Sequence, residues 1–251
     1  MIYFIGAGPG DPELITIKGA RLLAASDVVI YTGSLVSPRI LEYCRPGAAV
    51  HNSAAMTLEE VMATMRRAHT AGLTVARVHT GDPALYGAIQ EQMDALDNEQ
   101  IPYTVVPGVS SFLAAAAAIP HELTLPGVSQ TVILTRLEGR TAVPEEEKLS
   151  ALARHGATMC IFLSVGQMER LVAELLAGGY TPQTAAVVVE RASWPEERVI
   201  RGTLADIAGR VKAAGITRTA QVLVGDVFAA PYQLSRLYDP QFAHSYRGCR
   251  E

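Results

Sequence analysis

The amino-acid sequence predicts an α/β protein of two domains, each built on a mainly parallel sheet wrapped by helices. Short β-branched and aromatic runs alternate with helix-like periodicity along both halves of the chain. With 251 residues, 49% of them hydrophobic, the chain can fill two modest cores. A stretch near the middle, Pro120 to Gly127, has two prolines and a glycine and interrupts regular structure. We therefore expect one domain over residues 1–117, another over residues 128–251, and a linker over residues 118–127.

The elements follow in chain order. Strand candidates in the first half are residues 3–6, 28–31, 75–78 and 103–106. Leu14, Ile15, Leu22 and Leu23 mark a helix after the first strand. Thr57-x-x-Glu60 reads as a capping box, followed by Leu58, Val61, Met62 and Met65 at helical spacing. Residues 111–119 are helical by their alanine content until Pro120 breaks them. The second half offers strands at residues 131–135, 160–163, 185–190 and 221–224. A helix over residues 168–177 ends at Gly178-Gly179, and Thr203-x-x-Asp206 opens another that stops at Gly215. From Tyr232 onward periodicity is weak, and we expect irregular surface structure.

Composition excludes several classes of function. A net charge of -4 with no long run of Lys or Arg argues against nucleic acid as a partner. Mean hydropathy is positive, but the apolar stretch from Phe112 to Ile119 is mostly alanine and far short of a bilayer span, so no membrane partner is expected. Met1 leads straight into Ile2-Tyr3-Phe4-Ile5 without a secretory pattern, and a cytoplasmic protein is expected. Cys44, Cys160 and Cys249 are far apart, and the histidines, His244 among them, have no ligand spacing. Neither disulfides nor a protein-bound metal are expected.

Chemistry concentrates in three turns. The first strand runs into Gly6-Ala7-Gly8-Pro9-Gly10-Asp11-Pro12. A dinucleotide turn would need glycine where Asp11 stands, Pro9 removes an N–H that could cradle phosphate, and Tyr31-Thr32 replaces the acid at the end of the second strand. A Walker lysine is absent as well. The turn suits close backbone approach, not a pyrophosphate. The third strand ends in His79-Thr80-Gly81-Asp82-Pro83-Ala84-Leu85-Tyr86-Gly87 and the fourth in Pro107-Gly108-Val109-Ser110-Ser111-Phe112. Open α/β sheets bind ligands outside the carboxyl ends of their strands, so the three turns should line one concave wall.

These motifs, in this order, resemble the tetrapyrrole methylase family, whose members methylate corrin and porphyrin precursors with S-adenosylmethionine. The resemblance implies a cytoplasmic methyltransferase with a cofactor cleft between its two domains and a homodimeric assembly. It implies cofactor contacts at Pro9, Gly81, Asp82, Leu85, Ser110 and Ser111, and in the second half at Leu163, Ala192, Thr219 and Ala220. Within the family the chain is most similar to the branch that methylates C11 of precorrin-4, with or without cobalt. Gly33-Ser34-Leu35-Val36-Ser37-Pro38, Thr135-Arg136-Leu137-Glu138-Gly139-Arg140-Thr141, Ala192-Ser193-Trp194-Pro195-Glu196 with Arg201-Gly202-Thr203-Leu204-Ala205-Asp206, and Ser235-Arg236-Leu237-Tyr238 carry that similarity.

A polycarboxylated macrocycle calls for guanidinium partners. Arg136, Arg140, Arg191 and Arg198 are the substrate-binding candidates, or else solvated surface charges. Trp194 either stacks on the macrocycle or packs within the protein, the more ordinary role for a lone tryptophan. Asp82 either meets the cofactor or caps its own turn at Pro83. Methyl transfer from sulfonium to an electron-rich carbon does not demand a dedicated base, and no catalytic residue is assigned. Two other readings share these turns: an enzyme of the same architecture acting on another precorrin, uroporphyrinogen III or a different acceptor, and a non-catalytic protein that binds S-adenosylmethionine or a corrin.

Overall fold

A computed structural model describes residues 1–239, 241–243 and 245–248. His244 and Cys249 lie outside the described residues. The chain forms two compact units: Met1–Ala118 with Arg191–Arg198, and Ile119–Glu190 with Val199–Glu251. Arg191–Arg198, which a single cut near the middle assigns to the second half, packs with the first.

The first unit is a five-stranded sheet in the order β3-β2-β4-β1-β5. Its strands are β1 (Ile2–Gly6), β2 (Val28–Tyr31), β3 (Ala49–Asn52), β4 (Val75–His79) and β5 (Tyr103–Val106). All its pairings are parallel, with Ile2 level with both Val75 and Tyr103, and Val28 level with Val75 and Ala49. Strands covered on both faces read as continuous apolar runs, and β4 is buried at every position. Ile2, Phe4, Val28 and Ile30 serve one core and Ile5, Val29, Ala76 and Val78 another, as alternation across a pleat requires.

Helices α1 (Ile17–Ala25), α2 (Leu58–Thr70), α3 (Gln90–Asn98) and α4 (Ser111–Ala118) complete the unit. The capping box of α2 is closed in both directions: the Thr57 N–H donates to Glu60 Oε2 at 2.7 Å, and the Glu60 N–H donates to Thr57 Oγ1 at 3.3 Å. Val61, Met62, Met65 and Ala68 then turn inward. Leu58, the first of the expected apolar stripe, stays 42% exposed because it lies in the first turn, at the rim.

The second unit departs from the parallel expectation. It contains β6 (Val132–Arg136), α5 (Leu149–Ala153), β7 (Thr158–Phe162), α6 (Met168–Ala177), β8 (Ala185–Glu190), β9 (Arg198–Thr203), α7 (Ile207–Ala213) and β10 (Ala220–Val224), with sheet order β6-β7-β10-β8-β9. β6 and β7 pair in parallel, whereas β10 runs antiparallel to both β7 and β8. The α/β class therefore holds for both units, but the second sheet is mixed. A strand–helix–strand reading assumes that each helix returns the chain to the neighbouring slot. Helix α6 instead carries β8 two slots from β7, and the last strand fills the gap from the opposite direction.

Two edge strands, β3 and β9, had no sequence expectation. β3 is largely exposed, β9 is half-buried, and neither shows a clean apolar alternation. Thr203, read as a helix start, is the last residue of β9. Its N–H donates to Asp206 Oδ1 at 2.9 Å, and α7 begins at Ile207.

Two substitutions separate local from tertiary stabilisation. Thr57→Ala should cost about 1 kcal/mol through loss of the cap. Leu171→Ala, in the fully buried face of α6, should cost about 2–5 kcal/mol through the cavity it leaves. Urea denaturation of each variant measures both.

Candidate functional site

Parallel strands bring their carboxyl ends to one edge, and β4, β1 and β5 are adjacent, so the turns that follow them meet. Backbone groups lace them together. The Ala7 N–H donates to the His79 carbonyl at 2.8 Å, while Gly8 and Gly81 exchange bonds of 3.3 and 2.8 Å. Asp82 joins the second turn to the third: Oδ1 accepts from the Ala84 N–H at 2.8 Å and Oδ2 from the Gly108 N–H at 2.9 Å. The carboxylate thus caps its own turn and also clamps the neighbouring one. Each oxygen retains further acceptor capacity.

The clamp works because glycine stands where the chains touch. A Cβ on Gly6 would lie 2.6 Å from both the Gly108 Cα and the Gly81 carbonyl oxygen, and one on Gly108 would lie 2.2 Å from that same oxygen. No side chain fits there. Pro9 and Ser110 are buried in this wall, and Leu85 and Ser111 are half-buried. The Ser110 carbonyl accepts from the Leu113 and Ala114 N–H groups at 3.1 and 3.3 Å, seating the start of α4.

The first turn is covered by Arg191–Arg198. Trp194 Nε1 donates to the Pro9 carbonyl at 2.9 Å. Its indole lies over Gly10, where a Cβ would come within 1.9 Å of the ring. Ser193 Oγ accepts from the Asp11 N–H at 3.0 Å. Trp194 therefore packs within the protein, and Ala192 beside it is buried. The guanidinium of Arg191 sits 5.7 Å from the Trp194 ring centroid and 3.5 Å from the Glu196 carboxylate. Arg198 is exposed.

In the second unit, Leu163 follows β7, and Thr219 precedes β10. Val222 is level with Ile161 in that antiparallel pair, so Ala220 stands opposite Leu163 at one end of the sheet. Leu163 and Thr219 both adopt left-handed backbone, at φ 54° and 53°, and Leu163 is 65% exposed. The loop after β6 opens at the same end, because Arg136 is level with Phe162. Arg136 donates to the Ala142, Thr141 and Leu137 carbonyls at 2.9, 3.1 and 3.4 Å, so its guanidinium shapes its own loop. Arg140, on that loop, is exposed and unpaired among the described residues.

Behind the turns of the first unit lies a polar group that sequence reasoning missed. Arg77 is buried within β4. Its Nε donates to Gln92 Oε1 at 3.1 Å, and Nη1 donates to Ser53 Oγ at 3.0 Å, the Ile30 carbonyl at 3.3 Å and Thr32 Oγ1 at 3.4 Å. Burial lowers its pKa to about 10, which leaves it charged at neutral pH. His79, two residues on, is driven down to about 3 by burial and then by Arg77, and is neutral. Both line a cavity of about 320 Å³. The available signal was a lone arginine inside an otherwise apolar strand, Val75-Ala76-Arg77-Val78. Among the described residues, no cluster of three or more His, Cys, Asp and Glu side chains could hold a metal ion.

The chain is similar to known proteins over most of its length. The family profile of the Tetrapyrrole (Corrin/Porphyrin) Methylases matches residues 1–208. A cobalt-precorrin-4 C(11)-methyltransferase of Methanocaldococcus jannaschii is 52% identical over 98% of this chain and 95% of its own length. Among solved structures, a cobalamin biosynthetic enzyme, cobalt-precorrin-4 methyltransferase, superposes with a TM-score of 0.89 at 48% identity, covering 91% of this chain and 96% of that one. A uroporphyrin-III C-methyltransferase from Thermus thermophilus, crystallised with S-adenosylhomocysteine, gives 0.75 at 31% identity, covering 91% and 93%.

The glycine contact makes an asymmetric prediction. Gly108→Ala should destabilise the protein by about 3 kcal/mol, since the new methyl meets backbone that cannot rotate away. Gly209→Ala, in α7 with open space around it, should stabilise it by about 0.5–1 kcal/mol through helix propensity. Thermal melts of the two variants should shift in opposite directions.

Proposed function

The chain belongs to the tetrapyrrole (corrin/porphyrin) methylases, and on that premise we propose that it methylates C11 of precorrin-4, or of its cobalt form, giving the precorrin-5 stage of cobalamin biosynthesis. The observation that carries the reading is 52% identity over 98% of the chain to a relative of that activity. When bound, S-adenosylmethionine supplies an electrophilic methyl group on a sulfonium that loses its charge on transfer.

The chain's own residues fit such a group. Pro9, Gly81, Asp82, Leu85, Ser110, Ser111 and Ala192 in the first unit, and Leu163, Thr219 and Ala220 in the second, are the proposed cofactor contacts. Support for the first set is the fixed, side-chain-free wall that Gly6, Gly81 and Gly108 make. Support for the second is Leu163, an exposed apolar side chain held in left-handed backbone without packing that would repay it. The work assigned to these residues is orientation. A wall that is ordered before binding can contribute on the order of 7–11 kcal/mol through proximity.

For the macrocycle's carboxylates, Arg140 is the strongest of the proposed partners, being exposed and unpaired among the described residues. Arg191 and Arg198 remain proposed partners, whereas Arg136 would act through the loop it shapes. The proposal extends to a homodimer in the cytoplasm, for which light scattering is the first test. Among the described residues, no helix is long and apolar enough to cross a membrane.

Incubation with methyl-labelled S-adenosylmethionine and precorrin-4, in free and cobalt forms, should give a product one methyl heavier with S-adenosylhomocysteine released. Turnover with uroporphyrinogen III alone would overturn the choice of acceptor. Asp82→Asn, which puts an amide NH₂ where a second acceptor is needed, should weaken S-adenosylhomocysteine binding by about tenfold, or about 1.4 kcal/mol, in calorimetry.

A further inference from the structure

We propose that the cavity lined by Arg77, His79, Thr32, Ser53 and Gln92 is a carboxylate-binding subsite that takes one acidic arm of the methyl acceptor. The inference rests on the function proposed above. It starts from a charge imbalance inside the first unit. Arg77 is 6% exposed and makes no ion pair among the described residues. All of its hydrogen-bond acceptors are neutral: an amide, a backbone carbonyl and two hydroxyls. A buried guanidinium without a counter-ion is costly, and proteins retain one where an anion or a specific function compensates.

The surroundings fit an anion. The cavity of about 320 Å³ lies against Arg77 and is too small for a macrocycle, yet roomy for a carboxylate on a short chain. His79, also on its wall, is 4% exposed, and its Nε2 has no hydrogen-bond partner. As a neutral imidazole it can donate to a carboxylate oxygen from that nitrogen. The Thr32 and Ser53 hydroxyls accept from the guanidinium and donate to the Val78 and Tyr31 carbonyls, so they hold Arg77 in place against the cavity. Among the described residues Glu91 is the only acid on the wall; it sits exposed on α3 and makes no ion pair with Arg77. The polar groups thus converge on one positive charge with space beside it, and a planar guanidinium suits a carboxylate better than any other partner.

Gln92 supplies a test that does not depend on deleting a buried side chain. Gln92→Glu places a carboxylate where the Arg77 Nε already finds an oxygen at 3.1 Å, so the protein would neutralise its own subsite. Arg77→Gln removes the charge directly. The stable octacarboxylate uroporphyrin III and S-adenosylhomocysteine are titrated separately by calorimetry into wild type and both variants. We expect porphyrin affinity to fall by about tenfold or more in each variant, with S-adenosylhomocysteine affinity within about twofold of wild type as the control for an intact fold.

Sodium propionate should raise the melting temperature of wild type and not of Gln92→Glu. Porphyrin binding that survives in folded Gln92→Glu would overturn the subsite and leave the proposed function standing. Loss of S-adenosylhomocysteine binding with porphyrin binding unchanged would also overturn it, by assigning the cavity to the cofactor's own carboxylate. If wild type binds S-adenosylhomocysteine but no porphyrin, the acceptor subsite falls, while the proposed function stands or falls separately on turnover of precorrin-4.

Discussion

Backbone touches backbone where β1, β4 and β5 end, and the rest of the first unit's site depends on that contact. Gly6 and Gly108 approach each other and the Gly81 carbonyl more closely than any side chain permits, which lets hydrogen bonds run from Ala7 to His79 and between Gly8 and Gly81. Asp82 then reaches across to the Gly108 amide. The three turns become one object with no side-chain rotamers at its centre. Order of this kind is established on folding, so a ligand that meets the wall does not have to bear the entropy of arranging it.

That constraint also explains the placing of Trp194. The turn after β1 has little side chain of its own, and Pro9 offers a carbonyl with no strand partner. An indole from a distant part of the sequence supplies both cover and donor, fitting over Gly10. Ser193 adds a bond to the Asp11 amide. The segment Arg191–Arg198 belongs to the first unit for this reason, although it follows a strand of the second. A folded unit assembled from two separate stretches of chain couples the integrity of the first turn to the correct exit from β8.

Legibility followed burial. Strands β1, β2 and β4, covered on both faces, read directly as apolar runs, and α2 announced itself through Thr57 and Glu60. The edge strands β3 and β9 did not, since an edge can pair through its backbone alone while its side chains stay exposed in β3 and only half-buried in β9. The direction of β10 was hidden because local pattern states that a strand exists and not which neighbour it chooses. Proline, glycine and aspartate turns marked the candidate site in the first half, because backbone geometry constrains residue type there. Arg77 escaped because its meaning comes from what surrounds it in space: Gln92, Ser53 and the Ile30 carbonyl lie far from one another in sequence.

The second unit presents the opposite physical problem. Its edge near Leu163 and Thr219 has no glycine cluster, and non-glycine residues adopt the left-handed region there. Each such residue costs of order 1–3 kcal/mol, and Leu163 gains little burial in return. Relief by glycine would be sterically simple, but glycine would also surrender the apolar surface and loosen the turn. A strained leucine is the better solution only if its side chain has something to cover. Under the proposed function that surface meets the methyl donor, and the strain persists because it fixes the shape of the second unit's own edge before a ligand arrives.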